Sequence, residues 1–111
     1  MNDVFGLSSK EIAQILKILN QYPSVDKAIV FGSRAKGNYR NASDVDLVLK
    51  GNDLEHKTII SMSHELNETG TMPYHFDILN YHTITNKALR EHIDRVGICI
   101  YSRKPDDCAG N

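Results

Sequence analysis

Two cysteines in 111 residues are too few for a disulfide scaffold. Cys108 falls in a polar stretch and Cys99 in an apolar one, and both are expected to be free thiols. No apolar run approaches the ~20 residues that a bilayer-spanning helix needs. The opening residues "MNDVFGLSSKE" carry no basic flank followed by an apolar segment, so no secretory leader is expected and the cytoplasm is the default compartment. A charge excess of either sign is also missing. Thirteen Lys and Arg stand against fourteen Asp and Glu, for a net charge of −1. Without a broad positive field, binding of duplex nucleic acid through its phosphates is not expected, and any phosphate affinity must come from a local site.

What is present is an ordinary globular balance, 41% hydrophobic and 24% charged, in a length that suits one domain. Ser8 followed by Glu11 fits a capping box, and Ile12, Ile15, Leu16 and Leu19 recur at helical spacing behind it. A helix over 9–21 is predicted, with Pro23 helping to end it. "KAIVFG" reads as a buried strand stopped by Gly32, and "SRAKGN" has room for one or two helical turns. "DVDLVLKG" is a second strand, residues 54–69 a helix and "YHFDILN" a third strand. "TITNKALREHIDRV" places Ile84, Ala88, Leu89, Ile93 and Val96 on one helical face, and "GICIYS" is a fourth strand. The order predicts an α/β fold, a small mixed sheet of about four strands with helices packed on it. Residues 1–102 are expected to form this domain and 103–111 a disordered tail.

The informative stretch is "GSRAKGNYRNASDVD", residues 32–46. Gly32 and Gly37 have the spacing of a Walker A loop, but Asn38 and Tyr39 stand where its lysine and hydroxyl residue belong, so that reading is rejected. A second arrangement fits each position. Gly32 ends a strand and lets a phosphate approach the backbone, and Ser33 begins a turn whose free amides favour an anion. Arg34 and Lys36 are near enough to offset phosphate charge. Asp44 and Asp46 lie two residues apart on the next strand, so both carboxylates share one face. Like charges that close repel unless a cation sits between them, and an all-oxygen donor set suits magnesium. Ser43 either ends the loop or touches phosphate, and Tyr39 and Arg40 are expected at an exposed loop tip.

Gly32-Ser33, ten residues, then Asp44-x-Asp46 resembles the signature of the polymerase β-like nucleotidyltransferase superfamily, and the length and the "HFDIL" strand are similar to its minimal members. Those are small proteins usually encoded beside a helical HEPN-domain partner. The resemblance implies a third carboxylate on a neighbouring strand, and Asp77 fits. It is the only acidic residue between Tyr74 and Tyr81, and a charge in so apolar a strand is costly unless paired. The resemblance further implies two Mg²⁺ ions held by Asp44, Asp46 and Asp77, with ATP as donor. An acceptor hydroxyl would attack the α-phosphorus and pyrophosphate would leave, with Gly32, Ser33, Arg34, Lys36 and Ser43 around the nucleotide. His75, two residues from Asp77, is expected to face the same way as a bystander. The remaining chain after the last strand is too short for an acceptor-gripping domain, so a second copy or another protein is expected to complete the site. The resemblance points to a HEPN toxin, with AMP placed on one of its tyrosines. Two alternatives stay open: an antitoxin that neutralises by binding alone, and a small-molecule nucleotidyltransferase of the aminoglycoside-modifying kind.

Overall fold

The computed structural model describes residues 7–32, 44–69 and 74–103. Along the chain these form α1 (Ser9–Asn20), β1 (Lys27–Phe31), β2 (Val45–Lys50), α2 (His56–His64), β3 (Phe76–Asn80), α3 (Lys87–Val96) and β4 (Ile98–Ser102). The capping box is made as the sequence predicts: Ser8 Oγ accepts from the Glu11 N–H, and Glu11 Oε1 accepts from the Ser8 N–H.

The four strands order β3-β2-β1-β4. Strands β2 and β4 both run antiparallel to β1, while β3 runs parallel to β2. The sheet is therefore mixed, as expected. A parallel neighbour requires a crossover, which α2 supplies. Helices cover both faces, which explains why β1 reads as a continuous apolar run rather than an alternating one. On one face Val30, Leu47, Leu49 and Phe76 share a core with Ile15 of α1 and Met62 of α2. On the other, Ile29, Phe31 and Val48 pack with Ile93 of α3.

Three local readings need correction. Helix α3 starts at Lys87 because the Asn86 side chain accepts from the Leu89 N–H, and residues Tyr81–Thr83 ahead of it form a 3₁₀ turn instead. Ala88 is exposed, so the apolar face of α3 is narrower than the periodicity suggests. Cys99 is disulfide-bonded and not the free thiol expected from its place in an apolar run. Cys108 and the short helix expected after Gly32 lie outside the described residues. Among the described residues no helix is long and apolar enough to cross a membrane.

The far end of α2 widens into a π-helical turn, Glu65–Thr69. That change of pitch serves two contacts. Asn67 meets strand β3 edge-on, its Nδ2 donating to the Phe76 carbonyl at 2.9 Å and its Oδ1 accepting from the Phe76 N–H at 2.7 Å. Glu65 Oε1 accepts from the Tyr22 hydroxyl at 2.7 Å, tying the crossover to the turn after α1. Burial pushes the Tyr22 hydroxyl up to about 12, helped by the hydrogen bond to Glu65 and the charge of that carboxylate.

Asn67→Ala removes both bonds to Phe76 and is expected to lower unfolding free energy by about 2 kcal/mol in urea titrations, since each typically contributes about 1 kcal/mol net. The raised Tyr22 value means that folding favours the neutral phenol. Its contribution is fully present below the ordinary value of 10.0 and is lost as pH rises through about 12. Thermal melts of wild type and Tyr22→Phe should therefore differ most below pH 10 and converge toward pH 12. A gap that stays constant across that window would refute the linkage.

Candidate active site

Strand β1 ends at Phe31 and hands the chain to Gly32, whose φ of +77° lies in the left-handed region that glycine adopts without steric cost. A Cβ at Gly32 would also collide with the carboxylate Oδ2 of Asp46. The turn thus has two reasons to be glycine, and the second connects it to the acidic strand. Phe31 pairs with Asp46 across β1 and β2, and Asp46 pairs with Asp77 across β2 and β3. Paired residues point to one face, so the end of β1, Asp46 and Asp77 form a row across three strands on the face that α3 covers further along.

Parallel strands lie about 4.8 Å apart, so two carboxylates in register repel unless a cation or donor stands between them. Asp44 sits immediately ahead of β2, exposed and two residues before Asp46. Among the described residues no three His, Cys, Asp or Glu side chains close into a metal cage, so the three aspartates share a region without converging on one point. Asp44 and Asp77 are exposed, and their side chains can change rotamer without repacking any core. An all-oxygen carboxylate set of this kind suits magnesium in its chemistry.

The structure also revises the argument for Asp77. The sequence suggests a charge buried among Phe76, Ile78 and Leu79, but β3 is an edge strand of the described sheet and Asp77 is exposed. An edge position removes the desolvation cost, and what ties Asp77 to the site is its register with Asp46. His75 is likewise exposed and borders the same groove as Asp77. Ser33, Arg34, Lys36, Ser43, Tyr39 and Arg40 lie outside the described residues.

Beside Asp77 the sheet edge opens into a groove of about 740 Å³ between β3 and α2. Its walls include Ile60, His64, Asn67 and Glu68 from the helix side and Tyr74, His75 and Asp77 from the strand side. This feature has no signature in the sequence. It exists because a helix and an outer strand happen to stand side by side after the crossover.

The family model described as "Polymerase beta, Nucleotidyltransferase" matches residues 13–106. No curated protein matches the chain by sequence. Several solved structures share the fold. A toxin–antitoxin complex with AMP-PNP superposes with a TM-score of 0.70 at 19% identity, over 86% of this chain and 77% of the other. An MNT antitoxin in complex with a tri-AMPylated Shewanella oneidensis HEPN toxin gives 0.64 at 17%, over 86% and 73%. The toxin–antitoxin MntA–HepT gives 0.66 at 17%, over 90% and 77%. At these identities the likeness is one of fold.

Gly32→Ala is expected to cost about 1–2 kcal/mol from the left-handed backbone alone, with a further loss from the clash with Asp46. In an Asp46→Ala background the second part should vanish, leaving only the backbone strain. Equal losses in both backgrounds, measured by urea denaturation, would show that the two residues are not coupled.

Proposed function

Because the chain belongs to the polymerase β nucleotidyltransferase family, we propose that it transfers AMP from ATP to a tyrosine hydroxyl of a HEPN-domain toxin and thereby acts as its antitoxin. The observation that carries this reading is the row Gly32, Asp46, Asp77, in which a left-handed glycine turn and two carboxylates meet at one end of the sheet. Structural relatives that are toxin–antitoxin complexes, one with AMP-PNP and one with an AMPylated HEPN toxin, support the choice of nucleotide and partner.

Asp44, Asp46 and Asp77 are the residues that would hold magnesium, which when bound supplies positive charge against the triphosphate and the leaving pyrophosphate. Gly32 lets the backbone turn directly beside Asp46, and Ser33 and its neighbours would donate to the phosphate oxygens. Arg34, Lys36 and Ser43 are assigned to the same anion. Asp77, on an edge strand and exposed, is the carboxylate we assign to face the incoming acceptor and take its hydroxyl proton. The acceptor oxygen bonds to the α-phosphorus as the bond to pyrophosphate breaks. The protein contributes alignment and a fixed negative site for the proton, the usual division of labour in phosphoryl chemistry.

Incubation with MgCl₂, α-labelled ATP and the HEPN protein encoded beside the chain should put label on that protein. Asp77→Asn is expected to reduce transfer by at least about 100-fold, the usual scale for a lost proton acceptor. Stability should hold or rise slightly, because an exposed amide replaces one of two facing like charges. Near-wild-type transfer by Asp77→Asn would overturn the role given to this residue. Neutralisation of the toxin without any label would favour an antitoxin that works by binding alone.

A further inference from the structure

The outer edge of β3 is a hydrogen-bonding row whose first place is already taken. The Val45 N–H donates to the His75 carbonyl, so residues 75, 77 and 79 turn their backbone groups toward β2. Residues 76, 78 and 80 turn theirs outward. At Phe76 the carboxamide of Asn67 accepts from the N–H and donates to the C=O, as a peptide group of a neighbouring strand would. The next outward pair belongs to Ile78, and it faces the groove between β3 and α2.

We propose that an extended, cation-bearing segment of the protein carrying the acceptor hydroxyl docks along this edge as a fifth strand, continuing the ladder that Asn67 begins at Phe76. Three features fit that occupant. An added strand would lie about 4.8 Å from β3, and its alternate side chains would fall on opposite faces of the sheet. Those on one face share the side of Asp77. Those on the other drop toward Ile60, an isoleucine 55% exposed on α2 that packing in the free chain does not explain. Among the described lining residues Glu68 and Asp77 are acidic, His64 and His75 are imidazoles, and none is Lys or Arg. A segment with basic side chains therefore gains where a neutral or acidic one does not. The edge ends beside the carboxylate pair, so docking in this register brings an acceptor residue to Asp77 instead of to a remote surface.

This inference rests on the transferase reading for the identity of its partner, and the test separates the two. Backbone amide exchange is followed residue by residue in the free chain and in its complex with the HEPN protein. Strand addition predicts that the Ile78 amide slows at least tenfold on complex formation. Asp77 and Leu79, already paired to β2, should change little. General burial would slow exposed amides without this alternation. In parallel, Ile60→Arg, which keeps a good helix former on an exposed position, should raise the partner concentration needed for half-maximal labelling at least tenfold, with the saturating rate retained. Protection at Ile78 without nucleotide transfer would uphold the docking edge and reject the transferase reading. Transfer with unchanged Ile78 exchange and an unaffected Ile60→Arg variant would overturn the docking edge and leave the transferase reading standing.

Discussion

The parallel register between β2 and β3 is the constraint from which the rest of the site follows. Asp46 stands opposite Asp77 because Val45 is set against Phe76, and that setting is fixed on one face by a buried core. A slip of one residue would turn Asp77 into the core and Phe76 out of it, reversing every side chain on the strand. The core and the carboxylate pair are therefore one specification. The apolar residues that hold the register also hold two negative charges beside each other, which the sheet tolerates because both lie at its open end.

The crossover does more than connect parallel strands. Its π-helical turn aims Asn67 at the backbone of Phe76 and Glu65 at Tyr22, so β3 is anchored from the side that has no neighbouring strand among the described residues. An edge strand usually presents unpaired groups and invites association. Here one pair is satisfied by a side chain and the next is left beside a groove, which limits where a partner chain could attach. The same economy appears at Gly32, where the backbone conformation and the nearness of the Asp46 carboxylate both require the absence of a side chain.

Much of this was readable beforehand for particular physical reasons. The strands are legible because β-branched runs such as "KAIVF" leave little alternative, and α1 because its capping box and its apolar spacing agree. Sequence and structure diverge where one local signal competes with another. The periodicity of "TITNKALREHIDRV" extended α3 backward past Asn86, whose capping side chain starts the helix later. The apolar neighbours of Asp77 suggest burial, but a strand's own residues do not say whether another strand lies beyond it.

Legible in the residues alone are the four strands, α1, the mixed α/β class and a glycine turn followed by two aspartates at fixed spacing. These depend on short-range chemistry: caps, alternation and turn residues act within a few positions. That β3 lies at an edge, that Asp77 answers Asp46 across the ladder, and that a groove opens beside it become visible in the packed fold alone. Strand order and register are set by which faces bury together after the chain has crossed over, and that is a property of the packed whole.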